Sequence, residues 1–262
     1  RQLVRLRTLP TLPRVLEKIV TALENQDVDF EHVAALIETD QALTAQILRL
    51  ANSAFYSTAG AVGRVPQALL VLGAVVSRSV LLSSGVLDMR GVSLIGFWEH
   101  SLGCAVAAGA LAKVTGLAQP EEAAAAGLLH DLGKVVLCKE LPDVFEQVVA
   151  RAAAEGRSFR EVEQEVLGVD HGDIGAWLVD KWHFPACLAE PIAFHHVPER
   201  ARVAKNETAI VHVANVVVRA LGYGSGGDAL VPAIDPRAWA RLALTPALLD
   251  RANNRKVSEG GP

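Results

Sequence analysis

Residues 127–134 read Gly-Leu-Leu-His-Asp-Leu-Gly-Lys and place an imidazole, His130, directly before a carboxylate, Asp131, in an otherwise apolar segment. A buried carboxylate needs hydrogen-bonding or charged partners, so this pair predicts a polar centre inside a hydrophobic core. The apolar pattern predicts one helix over Glu121 to Leu137 that carries both side chains. His100, in the preceding predicted helix, is a third side chain that can join them.

Two interpretations of this centre are open at this point. His100, His130 and Asp131 can bind a divalent transition metal and lower the pKa of its water. Lys134, one helical turn beyond His130, can then face a phosphate; otherwise it is a solvated helix residue. Alternatively, the three side chains hydrogen-bond one another and backbone groups, and this network pins neighbouring helices without catalysis.

Histidines are concentrated in one part of the chain, because seven of the eight lie between His100 and His212. Histidine suits metal binding and proton transfer, so this concentration favours a functional centre there. Each histidine also has a structural interpretation. His171 can lie in the first turn of a helix, His195-His196 can lie at a helix C-terminus, and His212 can be a hydrogen-bonded interior residue.

The predicted fold class is all-α, because helical spacing recurs along the chain and no strand alternation appears. Capping signals predict helix starts at Asp29 and Asp40. Gly73 predicts a break or bend in the helix that Pro66 opens. Further predicted helices or helix starts are the stripe Leu12, Val15, Leu16, Ile19, Val20 and Leu23, the segments Trp98 to Thr115 and Asp143 to Glu155, the capping boxes Ser158 to Glu161 and Asp170 to Asp173, and Thr245-Pro246.

Composition and charge exclude several classes of protein. With 51% hydrophobic and 21% charged residues among 262, the chain is typical of a globular protein rather than a disordered one. Its 25 Lys+Arg against 29 Asp+Glu give a net charge of −4, which disfavours nucleic acid as a partner. Cys104, Cys138 and Cys187 lack Cys-x-x-Cys spacing, so we expect a reducing, cytoplasmic setting. The most apolar stretch, Val65 to Leu87, is interrupted by Arg78, so no membrane span is predicted.

Three further expectations concern connections and ends. Gly222 to Gly227 follows a predicted helix rather than a strand, which favours a flexible linker over a phosphate-binding loop. Residues 253–262 are predicted to be a flexible tail. Because the chain begins with Arg1 and its single methionine is Met89, we expect it to be part of a longer protein.

Motifs spread over nearly the whole chain are typical of a known family. Trp98-Glu99-His100-Ser101, His130-Asp131, His171 and His195-His196 resemble the HD superfamily of metal-dependent phosphohydrolases. Other motifs resemble more closely its HDOD group: Leu9-Pro10-Thr11-Leu12-Pro13, Asp40-Gln41-Ala42-Leu43, Leu50-Ala51-Asn52-Ser53-Ala54-Phe55-Tyr56, Ala68 to Gly73, and Trp182-His183-Phe184-Pro185 leading to the two adjacent histidines.

The resemblance implies an architecture and a class of function. It implies an N-terminal helical bundle, residues 1–95, packed on an HD-like helical bundle, residues 96–222, and then a loop and C-terminal helices over residues 223–252. It also implies a bacterial signalling module, often attached to receiver or cyclic-nucleotide domains. Most members of the group are regarded as lacking hydrolase activity.

The resemblance further implies a metal site that departs from the active pattern. An active HD enzyme closes this site with an aspartate, where this chain has Asn215, a neutral and weaker oxygen donor. After His196 the chain reads Val197-Pro198-Glu199-Arg200, without the Gly-Tyr-Pro signature of HD-GYP phosphodiesterases. The implied ligands of iron, manganese or zinc are His100, His130, Asp131, His171, His195, His196 and Asn215.

We therefore expect a non-catalytic HDOD signalling module that acts through a signalling protein partner or an attached regulatory domain. The alternative is a metal-dependent phosphohydrolase in which Lys134 is catalytic and steadies a phosphate oxygen. Neither a membrane nor an organic cofactor is expected. Nucleic-acid binding ranks last, because it rests only on local groups of basic residues without interleaved aromatics: Arg1, Arg5, Arg7, Arg200 and Arg202.

Overall fold

The computed structural model describes residues 14–23, 27–39, 41–52, 61–86 and 96–244. Within these ranges the chain is helical and contains no strand, so the predicted all-α class is confirmed. The α-helices are α1 Arg14–Leu23, α2 Phe30–Ile37, α3 Gln41–Ala51, α4 Val65–Val86, α5 Phe97–Thr115, α6 Pro120–Leu129, α7 Leu132–Glu140, α8 Pro142–Glu155, α9 Phe159–Leu167, α10 His171–Lys181, α11 Ala186–Phe194, α12 Lys205–Ala220 and α13 Pro236–Leu242.

Helices α1 to α4 form the N-terminal bundle, in which α4 packs against the other three. Two residues of the predicted apolar stripe, Ile19 and Leu23 of α1, are buried. Asp29 caps α2 as predicted, since its side chain accepts from the His32 backbone N–H. Gly73 bends α4 with φ 73° and ψ 167°, as the sequence predicted.

The second bundle is built from α5 to α12, and α4 joins the two bundles by packing against α6 and α7. The predicted boundary between the bundles, at residue 95, lies outside the described residues. The two predicted capping boxes are confirmed: Ser158 and Glu161 bond reciprocally at the start of α9, and Asp170 and Asp173 do so at the start of α10.

The prediction of one long helix over Glu121 to Leu137 is wrong. The helix ends at Leu129 and a new one starts at Leu132, so His130 and Asp131 lie in the turn between α6 and α7. The backbone of Asp131 has φ −94° and ψ 17°, which departs from helical geometry. The break lets α6 pack on α5 while α7 packs on α10, and tertiary packing thus overrides the local pattern.

The prediction of a flexible linker over Gly222 to Gly227 is also wrong. The Ser225 N–H donates to the Gly96 carbonyl over 2.8 Å, and Lys134 Nζ donates to the Gly226 carbonyl over 2.7 Å. These two bonds hold the segment against the N-terminus of α5 and against α7, so it is a packed part of the second bundle.

None of the helices in the described ranges has the length and apolar character needed to cross a bilayer. Several predictions concern residues outside those ranges and remain predictions: the Leu9 to Pro13 motif, the Asp40 cap, Ser53 to Tyr56, the Thr245-Pro246 start, and the tail over residues 253–262.

Candidate metal centre

The second bundle brings the predicted site residues together from four places in the chain. His100 lies in α5, the His130-Asp131 turn joins α6 to α7, and His171 is the first residue of α10. The remaining pair, His195 and His196, follows the end of α11, as predicted. All are buried except His196, which is half-buried.

Asp131 lies at the middle of this group. Both of its carboxylate oxygens face nitrogen atoms, and the carboxylate is only 1% exposed. Oδ2 lies 2.8 Å from Lys134 Nζ, 3.4 Å from His130 Nε2 and 3.8 Å from His100 Nε2. Oδ1 lies 3.3 Å from His171 Nε2 and 3.6 Å from His195 Nε2.

Hydrogen bonds that Nδ1 donates fix which nitrogen of the His130 and His195 rings carries the proton. His130 Nδ1 donates to the Gly127 carbonyl over 2.8 Å, and His195 Nδ1 donates to the Pro191 and Ile192 carbonyls over 3.2 Å each. A carbonyl oxygen can only accept, so Nδ1 carries the proton and Nε2 presents its lone pair. Both Nε2 atoms therefore face Asp131 in the form that binds metals.

His171 is oriented by a carboxylate that sequence reasoning missed. Glu163 is fully buried, and its Oε2 accepts from the His171 backbone N–H over 3.0 Å and from Nδ1 over 2.6 Å. Burial raises the pKa of Glu163 well above its ordinary value. No local pattern marks Glu163, because its partner lies in the next helix.

Burial keeps the imidazoles neutral near pH 7. It lowers the pKa of His100 to about 3 and the pKa values of His130 and His195 to about 4. Burial alone would raise the pKa of Asp131, but the charge interactions with His130 and Lys134 hold it well below its ordinary value. Of these two groups, Lys134 is the one that bonds the carboxylate directly, with 2.8 Å between Nζ and Oδ2.

Lys134 is not the solvated residue that its position on a helix allowed. It is 2% exposed, and Nζ donates to Asp131 Oδ2 over 2.8 Å and to the Gly226 carbonyl over 2.7 Å. The ammonium also lies 5.3 Å from the centroid of the Phe159 ring. The side chain is thus part of the centre and ties it to the segment after α12.

Two glycines of the quoted stretch let two pairs of helices approach closely. A Cβ added to Gly127 would lie 2.6 Å from the Cys104 carbonyl oxygen, and one added to Gly133 would overlap the carbonyl oxygen of His171. These contacts set α6 against α5 and α7 against α10. They explain physically why glycines flank His130 and Asp131.

Cys104 is a second residue of the centre that sequence reasoning missed. Its buried Sγ lies 3.6 Å from His100 Nε2 and 4.0 Å from His100 Nδ1. The signal that could have found it is the spacing of four residues within one predicted helix, which places both side chains on the same face.

The donor set fits a divalent transition metal. Three buried atoms of the predicted ligands have no hydrogen-bond partner among the described residues, namely His130 Nε2, Asp131 Oδ1 and Asn215 Oδ1. Such atoms are rare unless an ion or water serves them. Ligand atoms lie within 4.8 Å of one another in three groups: His100, Cys104 and His130; His130, Asp131 and His195; His171, His195 and His196.

The centre has two different ends. We call His100, Cys104 and His130 the dry end, and His171, His195 and His196 the pocket end. A cavity of about 350 Å³ is lined by Lys134 and by His171 and His196 of the pocket end, whereas no residue of the dry end is among those lining it.

The last two predicted residues lie in α12. His212 is structural, as predicted, because Nδ1 donates to the His195 carbonyl over 2.7 Å and Nε2 accepts from the Asp235 N–H over 2.8 Å. Asn215 is 3% exposed, in a helix that packs against α5, α6 and α11. Its Oδ1 has no hydrogen-bond partner among the described residues.

Comparisons with known proteins agree with this architecture. A protein of Treponema pallidum (strain Nichols), described as uncharacterized, is 30% identical over 222 residues, which cover 83% of this chain and 43% of that protein. The chain therefore spans less than half the length of this relative. A protein from Marinobacter aquaeolei VT8 named as a candidate signal transduction protein shares the fold, with 23% identity and a TM-score of 0.71 over 96% of this chain and 58% of that one.

Two solved structures are similar over almost their whole length. An HDOD domain protein from Geobacter sulfurreducens is 28% identical, with a TM-score of 0.71 over 95% of this chain and 90% of that one. A protein from Shewanella amazonensis SB2B named as a candidate phosphohydrolase is 26% identical, with a TM-score of 0.70 over 97% and 93%. The predicted fold, a helical bundle packed on an HD-like bundle, is confirmed. Since the HDOD domain also matches residues 9–198, the chain belongs to the HDOD domain family.

Proposed function

We propose that this HDOD domain is a non-catalytic signalling module that acts in the cytoplasm through a protein partner or an attached regulatory domain. The observation that carries the proposal is the position of Lys134, whose buried ammonium bonds the Asp131 carboxylate directly, with 2.8 Å between Nζ and Oδ2. The protein's own cation thus supplies the charge that a divalent ion would supply to Asp131.

The ion pair is costly to displace. Nζ is also held by the Gly226 carbonyl over 2.7 Å, and the carboxylate and the ammonium are 1% and 2% exposed. Separating a buried, hydrogen-bonded ion pair leaves charges without compensation. A divalent ion that used Oδ2 would have to displace this ammonium, so the arrangement favours a closed and charge-balanced centre.

Asn215 supports the same conclusion. Its amide oxygen is buried and neutral, so it adds no negative charge to balance a divalent cation. The imidazoles are neutral as well, so Asp131 is the only carboxylate among the predicted ligands, and its charge is already balanced by Lys134. A catalytic metal would therefore lack the charge that phosphohydrolase sites provide.

The proposed partner follows from the length of a relative. The chain covers 43% of the Treponema pallidum protein that it resembles, so this domain type occurs within longer chains. We propose that an attached or separate signalling protein supplies the input or receives the output. The net charge of −4 argues against nucleic acid as that partner.

The proposal is tested by measuring turnover. The domain is incubated with para-nitrophenyl phosphate, its bis ester and cyclic dinucleotides in the presence of manganese, ferrous iron or zinc. We expect product release no faster than that of the His130→Ala variant. A metal-dependent rate that this variant abolishes would refute the non-catalytic role.

A second candidate function, metal-dependent phosphohydrolase, is favoured by the cavity. This space of about 350 Å³ brings solvent to Lys134, His171 and His196, which an enzyme would need for substrate entry. A bound divalent metal would supply Lewis-acid polarisation and an activated water. The residues that would hold it are His100, His130, Asp131, His171, His195, His196 and Asn215.

Lys134 distinguishes the two candidates. In an enzyme its ammonium must leave Asp131 to steady a phosphate oxygen, so Lys134→Met would lower kcat while metal content is retained. In the non-catalytic module there is no rate to lose, and the same substitution changes only stability and metal affinity. Hydrolysis and metal content measured on the same preparations separate these outcomes.

A further inference from the structure

A second, smaller cavity lies where α12, α13 and the 3-10 turn Pro198–Arg200 meet. Its volume is about 200 Å³, and none of its lining residues belongs to the candidate metal centre or lines the larger cavity. Its charged lining residues are Lys205, Arg237, Arg241 and Glu199, and its other lining residues are Pro198, Ala201, Ala209 and Ala238. Three cations therefore surround a small space that contains one carboxylate.

These three cations lack carboxylate partners, in contrast to other cations of the second bundle. Within the part of the chain that the structure describes, no salt bridge links Lys205, Arg237 or Arg241 to a carboxylate. The Arg241 guanidinium instead donates to the neutral Asn206 side chain, with 3.3 Å between Nη1 and Oδ1. Four arginines of the same bundle do bond carboxylates: Arg151, Arg157, Arg160 and Arg219.

The helix α13 brings two of the cations to one side of the cavity. Ala238 and Leu242 are buried and hold α13 on the bundle, so Arg237 and Arg241, one turn apart, lie on a neighbouring face. Like charges at this spacing repel each other, and Lys205 adds a third positive charge to the same cavity. An anion placed among the three would remove this repulsion.

The residue types in the lining suit a phosphate group. A guanidinium presents a planar fork of N–H donors that matches two phosphate oxygens, and a lysine ammonium adds a compact positive charge. A concave surface lined mainly by one sign of charge concentrates the field and attracts an ion of opposite sign. The volume of about 200 Å³ is smaller than the roughly 300–1,000 Å³ of sites for drug-sized ligands, which favours one small anionic group.

We propose that Lys205, Arg237 and Arg241 form a binding site for a phosphate group, either the free ion or the phosphate of a small phosphorylated molecule. The two guanidinium groups donate hydrogen bonds to the phosphate oxygens, and the Lys205 ammonium balances their charge. The Glu199 carboxylate opposes binding and limits the affinity. The site goes beyond the proposed function, because it requires neither a metal, nor hydrolysis, nor a protein partner.

The test is isothermal titration calorimetry of the whole domain in EDTA at pH 7 and low ionic strength. Inorganic phosphate represents the free ion, and O-phosphoserine represents a phosphorylated molecule. We expect one anion per chain, with an affinity that falls as salt is added. Whichever probe binds more tightly identifies the source of the phosphate.

Two sets of variants locate the bound anion. Arg237→Gln should weaken binding at least about tenfold, because a hydrogen bond between charged groups contributes about this much. Glu199→Gln should instead strengthen binding about two- to fivefold, since it removes an exposed like charge from the site. A gain of affinity is not expected if the substitution merely perturbs the fold.

Matched controls separate this site from an unspecific effect of net charge. The double variant Arg237→Gln/Arg241→Gln loses two positive charges, and so does Lys113→Gln/Lys139→Gln, whose two lysines are exposed and line neither cavity. We expect binding to be lost in the first and retained in the second. Thermal unfolding reports folding for each, and if the arginine double variant does not fold, Lys205→Gln and Glu199→Gln carry the test.

Three outcomes would overturn the site. The first is a wild-type domain that binds neither probe at millimolar concentration, and the second is binding that persists unchanged in the arginine double variant. The third is an affinity for DNA that rises with its length and exceeds that for both probes, which would indicate an extended polyanion surface. Hydrolysis is not measured in EDTA, so failure of this site and failure of the non-catalytic role are distinguishable.

Discussion

The two ends of the centre use the same residue type in different surroundings. At the dry end, His100 and His130 lie beside the Cys104 thiol, away from the residues lining the cavity. At the pocket end, His171 is held by the Glu163 carboxylate, and His171 and His196 line the cavity. A histidine cluster therefore does not define one chemistry, because its supporting residues and access to solvent decide what each end can bind.

Asp131 and Lys134 join the two ends. Asp131 Oδ2 faces the dry end and Oδ1 faces the pocket end, while Lys134 bonds Oδ2 and lines the cavity. Substitutions of Asp131 or Lys134 should therefore affect both ends, whereas substitution of a supporting residue such as Glu163 should affect only one end.

Acidification should destabilise both ends of the centre and cause the largest decrease in the free energy of unfolding. Burial lowers the pKa of His100 to about 3 and those of His130 and His195 to about 4, whereas their unfolded values are near 6.5. Between these pH values the unfolded chain binds more protons than the folded chain. The contribution of these imidazoles to the free energy of unfolding is therefore retained above pH 6.5 and is lost as the pH falls. Each group contributes up to about 1.4 kcal/mol per pH unit.

Urea unfolding in EDTA at pH 7, 6 and 5 measures this dependence. We expect the free energy of unfolding to fall at each step, and His130→Gln to reduce the slope. A free energy that does not change between pH 7 and 5 would contradict the buried neutral state of these imidazoles.

Removing the shared carboxylate should have the next largest effect. Asp131→Asn leaves the Lys134 ammonium buried without its counter-ion, and breaking a buried pair in this way costs about 3–5 kcal/mol. Urea unfolding at pH 7 measures the loss, with Asp143→Asn, an exposed position, as the control. A loss below about 1 kcal/mol would be incompatible with a tightly bonded Asp131–Lys134 pair.

Substitution of Glu163 should act at the pocket end, where the Glu163 carboxylate holds His171. Glu163→Ala leaves two buried donors of His171 unpaired and should destabilise the domain by about 1–3 kcal/mol. Glu163→Gln retains an acceptor and should cost less. Urea unfolding at pH 7 measures both losses, and a loss in Glu163→Gln as large as that in Glu163→Ala would contradict the acceptor role of Glu163.

The smallest effect is expected at the half-buried residue of the pocket end. His196 Nε2 lies 2.8 Å from His171 Nε2, a single hydrogen bond beside the cavity. His196→Gln should cost about 0.5–1.5 kcal/mol, the net contribution of one such bond. Thermal unfolding measures it, and a loss as large as that of Asp131→Asn would place His196 in the core of the network.

Local signals in the sequence predicted much of the fold. Asp29, the Ser158 to Glu161 box and Gly73 act within a few residues, so their patterns predicted the elements correctly. The break at His130-Asp131 has no such local marker. It arises from the packing of α6 on α5 and α7 on α10, which a single sequence does not display.

The candidate site was predictable by residue type but not by arrangement. Clustered histidines pointed to the correct group, whereas the partner of Lys134, the Gly226 carbonyl, is 92 positions away in sequence. Glu163 is equally hidden, because its role depends on contact with the following helix. Cys104 carried a usable signal, since it lies one helical turn beyond His100.

The most direct test of the central claim is a single-turnover assay with the manganese-, iron- or zinc-supplemented domain in excess over a phosphodiester or a cyclic dinucleotide. The account predicts that no product forms beyond the level of His130→Ala, because Lys134 neutralises Asp131 and Asn215 adds no charge. Product that appears with metal in the wild-type domain, and disappears in His130→Ala, would contradict it.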